Sequence, residues 1–216
     1  MKIAFAHNVQ NRFKTLRETI ETERNYFPDA LIYVAYNDHT FNLNYFKDLT
    51  NIKFISYNGE GHKIGCTNGF IVSIRETLDD DSDIVVFSHD DVRINPEFID
   101  VFNKNINKLI EENIDVICRK PNSYGNNYYM MEGVFMRKDA IKKIILNQNL
   151  IDFEVNLPKD IRGSYSPEVW LYNVINNCNI NINCITYEHS TNNYNIILGK
   201  NFGLFHKNAG LRGWKD

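Results

Sequence analysis

The chain has 216 residues, 43% of them hydrophobic and 24% charged, with a formal net charge of -3. This composition excludes a disordered polar chain and supports one substantial buried core. A pI near 6.1 lacks the basic footprint of a non-specific nucleic-acid binder, so no nucleic-acid partner is expected.

Met1 to Ala6 (MKIAFA) predicts a short strand ending at His7 and Asn8. It has neither a basic n-region nor a long apolar stretch, so no signal peptide or transmembrane helix is expected; a cytoplasmic setting is expected from the unpaired cysteines. Phe13 to Arg24 has helical spacing, with Phe13, Leu16 and Ile20 on one stripe and Arg and Glu opposite. Ala30 to Ala35 (ALIYVA) is a second buried strand, closed by Tyr36, Asn37 and Asp38, and Ile52 to Ser56 is a third. After the Gly-bearing loop NGEGHKIGCTNG, a helix is expected from Thr67 to Leu78, with Asn68 placed to cap it. His7, His39 and His62 have no partner visible in sequence and read as surface or loop residues.

The stretch Asp83 to Asp91, DIVVFSHDD, carries the most chemistry. Ile84 to Phe87 is a β-branched and aromatic run of the kind that forms a strand buried on both faces. His89, Asp90 and Asp91 follow at its end. Adjacent carboxylates at the mouth of a buried strand repel each other and are costly to desolvate. A divalent cation removes that cost, and hard cations such as Mg²⁺ or Mn²⁺ take oxygen ligands. The plainer reading is a turn in which Asp90 or Asp91 caps a helix starting at Pro96. That helix is expected to run to Glu112, followed by a strand from Asp115 to Cys118.

Strands alternating with helices imply an α/β fold: a mostly parallel central sheet with helices on both faces. Ligands of such sheets bind beyond the carboxyl ends of the strands, where Asn8, Asp38 and His89 to Asp91 are placed. No G-x-G-x-x-G and no G-x-x-x-x-G-K-[ST] occurs, which argues against a classical dinucleotide site or P-loop. Cys66, Cys118, Cys178 and Cys184 contain no C-x-x-C pair and read as reduced core thiols.

Tyr128 to Arg137 (YYMMEGVFMR) predicts a strand interrupted by Gly133, with a short helix over Lys138 to Leu146. In SYSPEVWLYNVIN, Ser166 suits an N-cap, Pro167 the first helical position, and Glu168 the first turn, where a carboxylate complements the helix dipole. Cys184 to His189 (CITYEH) is a short strand. Asn201 to Asp216, rich in Gly and positive charge, reads as a loop closing over a ligand rather than as a core element.

This order of parts resembles the GT-A type of nucleotide-sugar glycosyltransferase, of the inverting family 2 kind. FSHDDVRINPEF fits that family's D-x-D phrase, with His89 in the first acidic position and Asp91 in the second. YVAYND offers Asp38 for contact with the nucleotide base. GCTNGFIVSIRETL, containing Asn68, matches a third-loop phrase, and MEGVFMRKDAI echoes the acceptor-side strand. PEVWLYN puts Glu168 on a carboxylate position of the motif that supplies the catalytic base, and His189 in YEHS corresponds to a histidine near the diphosphate. The matches fall in the family's order along almost the whole chain. Two departures stand out: His89 replaces an aspartate, and Pro167-Glu168 stands where two acidic residues are usual.

The resemblance implies a single GT-A, Rossmann-like domain. Residues 1–118 would form the nucleotide-sugar half, and 119–216 the acceptor half with the closing segment. It implies transfer of a sugar from a nucleoside-diphosphate sugar to a hydroxyl acceptor, assisted by Mn²⁺ or Mg²⁺. Glu168 would be the general base. Asn8, Asp38, Asn68, His89, Asp90, Asp91 and Lys207 would bind the donor. Asp91, His89, His189 and His206 would hold the metal. Two other functions fit the fold. A sugar nucleotidyltransferase usually opens with a Gly-rich, Arg-containing loop, which AHNVQNRF lacks, and a non-catalytic nucleotide or glycan module fits the altered D-x-D.

Overall fold

In chain order the elements are β1 (Ile3–Val9), α1 (Phe13–Tyr26), β2 (Leu31–Asn37), β3 (Ile52–Tyr57), α2 (His62–Glu76), β4 (Ile84–His89) and β5 (Val92–Ile94). They continue with α3 (Ile99–Glu111), β6 (Val116–Pro121), β7 (Met130–Arg137), α4 (Lys138–Leu146), α5 (Pro167–Asn177), β8 (Ile182–Tyr187), α6 (Tyr194–Phe202) and β9 (Leu204–His206). The computed structural model describes residues 1–9, 12–37, 42–57, 62–121, 128–147, 167–187 and 194–206.

Seven strands make the central sheet in the order β3-β2-β1-β4-β7-β6-β8. All run parallel except β7, which is antiparallel to both β4 and β6. The exception follows from chain length. A parallel connection needs a crossover of about a dozen residues or more, and the stretch between Pro121 and Met130 is too short for one.

Alternation along the strands divides the core between the two faces. Ala4, Ala6, Val85 and Phe87 point to one face, where Phe70 and Ile74 of α2, Ile141 of α4, and Trp170 and Val174 of α5 cover them. Phe5, Ile84 and Val86 point to the other, under Leu16 and Ile20 of α1, Phe102 and Ile106 of α3, and Leu198 of α6. Helices therefore lie on both faces, as the alternating pattern predicts.

Several expectations need correction. β1 continues through His7 and Asn8 to Val9. His7 is fully buried, not on the surface, because its Nε2 lies 3.0 Å from Glu23 Oε2 and its Nδ1 3.1 Å from Ser88 Oγ. Glu23 accordingly occupies the buried stripe of α1, where the spacing placed only apolar residues. α2 begins earlier than expected, so Asn68 is an interior residue of the helix and caps nothing. Neither Asp90 nor Asp91 caps the helix before Glu112. β5 intervenes, a 3₁₀ turn spans Pro96–Phe98, and Asn95 Oδ1 accepts from Glu97 N as its cap. The strand expected from Asp115 to Cys118 runs on to Pro121, and the one expected over Cys184 to His189 is Ile182–Tyr187.

The expected closing loop is a core element over its first part. Phe202 and Leu204 are buried, with the Phe202 ring stacked 6.4 Å from that of Phe135. β9 pairs antiparallel with β5, matching Val92 with His206, Arg93 with Phe205 and Ile94 with Leu204. Gly203 makes the tight passage from α6 into β9. Its φ is +70°, and a Cβ there would stand 2.5 Å from Phe102 N, so only glycine fits. Residues 207–216 lie outside the described residues. No helix among the described residues is long and apolar enough to cross a membrane.

Candidate active site

The carboxyl ends of β1 and β4 lie side by side, with Asn8 paired to His89. At the end of β4 the chain turns through Asp90 and Asp91 into β5. Both aspartates are buried, 5% and 3% exposed. The turn is held from below: Thr19 Oγ1 donates to Asp90 O at 3.0 Å, and Ser88 Oγ donates to Val92 O at 3.2 Å. Ser88 in turn meets His7, so the buried His7–Glu23 pair belongs to the same scaffold.

Three cationic side chains gather on the acidic groups of this rim. Arg12, the residue before α1, hydrogen bonds Asp91 Oδ2 through Nη1, and the same nitrogen lies 3.4 Å from Asp90 Oδ1. The β5–β9 ribbon carries His206 to the other side, with Nε2 3.7 Å from Asp91 Oδ2 and 3.6 Å from Glu132 Oε1. Glu132 of β7 is bonded by Arg119 of β6, Nη2 to Oε2 at 2.9 Å, while Arg119 Nε and Nη2 also donate to the Glu132 carbonyl at 3.0 and 2.8 Å. A register shift between Ile117 and Arg119 marks this point of the β6–β7 pairing, where a bulge re-aims a side chain. Arg119 is fully buried, its guanidinium 5.7 Å from the Phe202 ring centre and 5.9 Å from that of Tyr187.

The electrostatics follow from these neighbours. Burial works to raise the Glu132 carboxyl, but His206, Arg119 and His89 outweigh it and hold the group well below the usual range. Burial works to lower the His206 ring, but Glu132 and Asp91 outweigh it and keep its protonated form favoured above the ordinary value. The Cys66 thiol of α2 is pushed up to about 12, first by burial and then by the charges of Glu168, Asp90 and Glu132. Glu168, in the first turn of α5, lies near enough to Cys66 for its charge to act there, and its carbonyl accepts from Tyr129 N at 3.2 Å, just before β7.

Among the expected site residues, the structure thus brings together His89, Asp90, Asp91 and His206, with Glu168 in electrostatic reach of Cys66. His89 is half-buried, its ring set edge-on to Phe87 at 5.8 Å. Asn8 is tied inward: Tyr57 donates to its Oδ1 at 2.9 Å, and a Cβ on Gly69 would strike that same oxygen. Asn68 is half-buried in α2. Asp38, His189 and Lys207 lie outside the described residues. Arg12, Arg119 and Glu132 are additions that the sequence reading assigned no role. An arginine inside the strand VICRKP and a glutamate inside MEGVFMR were the available signals, since charges in buried strands need partners.

The carboxylate oxygens suit Mn²⁺ or Mg²⁺, and an imidazole nitrogen beside them favours Mn²⁺ over Mg²⁺, the harder and more strictly oxygen-seeking ion. Asp91 Oδ2 and His206 Nε2, 3.7 Å apart, can both reach one ion at bond lengths of about 2.1 Å. No three His, Cys, Asp or Glu side chains among the described residues converge on one point. Two protein ligands are sufficient for a cation whose other positions are filled by water and substrate phosphates.

The class that this fold defines is a Rossmann-like α/β architecture. The structure is similar over 98% of this chain, and 95% of the other, to a solved glycosyltransferase involved in the glycosylation of the major capsid of PBCV-1, with a TM-score of 0.60 and 12% sequence identity. A weaker likeness, TM-score 0.45 and 10% identity over 86% of this chain and 82% of the other, is to A197 from STIV. The sequence matches no protein-family model and no curated protein.

Proposed function

We propose that this protein is a nucleotide-sugar glycosyltransferase of the inverting type, assisted by Mn²⁺ or Mg²⁺, that transfers a sugar to a hydroxyl acceptor. The observation that carries the reading is the set of Asp90, Asp91, Glu132 and His206 on the rim where the parallel strands end and antiparallel β7 begins, in a fold shared end to end with a known glycosyltransferase. Cleavage of the sugar–phosphate bond develops negative charge on the diphosphate. Asp91 with His206 or His89 would hold the cation, which when bound stabilises that charge as a Lewis acid. Asp38 and Lys207, which follow β2 and β9 directly in sequence, and His189, beyond β8, are the further donor-side candidates, with Asn8 of β1 and Asn68 of α2.

The base must accept a proton from the attacking hydroxyl. Glu132 is engaged by Arg119 and His206, which favour its charged form and lower its basicity, and Asp91 is engaged by Arg12. Glu168 remains the assigned base, projecting from a first turn whose backbone Pro167 presets.

Incubation with a panel of nucleotide sugars and Mn²⁺, followed by assay of released nucleoside diphosphate, tests the proposal. Release that increases with an added hydroxyl acceptor is expected. Saturable donor binding without turnover would favour the binding-module reading, and pyrophosphate-dependent chemistry the nucleotidyltransferase one.

A further inference from the structure

Asp90 and Asp91 are adjacent and buried, with side chains only 7% and 4% exposed. Ionised together they need positive charge close by. Arg12 supplies it, bonded to Asp91 and 3.4 Å from Asp90 through one nitrogen. Its placement differs from that of the other cations. Arg119 is sealed in the core at 1% exposure, whereas Arg12 is 18% exposed and sits just outside α1, at φ -104° and ψ 68°. Its carbonyl accepts from Leu16 N at 2.9 Å, which anchors the backbone while the long side chain keeps its own torsions.

A divalent cation shared by Asp91 Oδ2 and His206 Nε2 competes with the Arg12 Nη1–H for that same oxygen. It would also lie within a few ångströms of the guanidinium, where like charges repel. The two cannot be held at full strength together. We propose that Arg12 is an exchangeable counter-cation: it neutralises Asp90 and Asp91 whenever no divalent cation does so, yields them to such a cation, and turns its fork to the diphosphate that the cation accompanies. A guanidinium matches phosphate as well as carboxylate, so the same side chain serves both states. The consequence is coupling. Free metal binds weakly because it must displace Arg12 with no compensation. Metal with diphosphate binds well because Arg12 gains a new partner, and the coupling is reciprocal. This inference rests on the metal-assisted donor binding proposed above.

Mn²⁺ titration followed by electron paramagnetic resonance, with no nucleotide present, reads the exchange directly. Arg12→Gln should bind Mn²⁺ at least ~10-fold more tightly than the wild type, the scale of losing one charged competitor bond. Adding UDP or GDP should strengthen Mn²⁺ binding strongly in the wild type and much less in Arg12→Gln. Equal or weaker Mn²⁺ binding by the variant overturns the proposal. So does Mn²⁺ binding that survives Asp91→Asn, which would put the ion elsewhere. Should Arg12→Gln fail to fold, the wild type still decides. The Arg12 guanidinium resonance, assigned by its loss in Arg12→Lys, must shift when Mg²⁺ and UDP are added together, and an unmoved signal ends the proposal. Mn²⁺ behaviour as expected in a protein that consumes no nucleotide sugar would support the exchange and end the transferase reading. Sugar transfer with identical Mn²⁺ affinities in wild type and Arg12→Gln would do the reverse.

Discussion

His206 and Glu132, brought together by a three-residue strand from one direction and a central strand from the other, stand 3.6 Å apart at Nε2 and Oε1. The relationship is topological: β9 reaches this place only because it pairs with β5, directly after the Asp90–Asp91 turn. It makes the charge of a histidine near the chain's end part of the same site as the end of β4.

The pairing has a defined pH window. The depressed Glu132 carboxyl contributes stability that is present above its ordinary value of 4.5 and lost as pH falls through the folded value. The raised His206 ring contributes stability that is present below 6.5 and lost as pH rises through its folded value. A double-mutant cycle of His206→Gln and Glu132→Gln, by denaturant melts in chelator, should show coupling between these two values. That coupling should vanish well above the raised His206 value, and an unchanged coupling at alkaline pH would show that the ring acts by packing alone.

Gly203→Ala should destabilise the protein by more than about 1 kcal/mol, because the residue is at positive φ and the new methyl meets backbone atoms of Phe98 and Phe102. Backbone cannot step aside as a flexible side chain can. The same change should loosen β9 and weaken nucleoside-diphosphate binding, since His206 hangs from that strand. Thermal melts and equilibrium binding on one variant check both, and wild-type stability would mean that the passage into β9 is wider than it stands here.

The buried pair of His7 and Glu23 makes a third test. Glu23→Ala leaves a buried ring nitrogen without its carboxylate and should cost about 1–3 kcal/mol. Replacing both by leucine should recover much of the loss, since removing both partners of a buried polar pair is nearly neutral. The doubly substituted protein should nevertheless bind donor less well, because Ser88 beneath the Asp90 turn loses its partner on the ring. Denaturant melts together with donor titration separate the two effects, and full donor affinity in the double variant would limit the pair to stability.

The contrast between His7 and Asp91 shows what could be read from the chain alone. Asp91 was legible because its meaning is local: an apolar run predicts the strand, and the strand's end predicts the rim. His7 read as a surface residue because its partners, Glu23 and Ser88, lie 16 and 81 positions away. Arg12 is the same case, 78 and 79 positions from the carboxylates it binds. The strand Leu204–His206 looks like loop in the sequence because three residues carry too little periodicity, and only the facing strand β5 makes the pairing. Period and punctuation report local structure, whereas charge pairing across the sheet depends on a topology that the pattern specifies only in outline.

Glu168→Gln addresses the proposed chemistry most directly. General-base catalysis contributes typically 10²–10⁴-fold, so turnover with the best donor and acceptor should fall by about that factor. Donor binding should hardly change, because the metal and diphosphate are assigned to Asp91 and its neighbours and the amide is isosteric with the carboxylate. A carboxylate that served only the dipole of α5 would instead cost about 0.3–1 kcal/mol of stability on substitution, with activity intact. The pH profile adds a readout that packing would not move: the limb of kcat/KM reporting the free enzyme's base should disappear in the variant. Melting temperature, donor affinity and the pH dependence of transfer, measured on this one substitution, separate the alternatives. Turnover at the wild-type rate would remove Glu168 from the chemistry and turn attention to the carboxylates Glu154 and Asp160, which precede α5 in the chain.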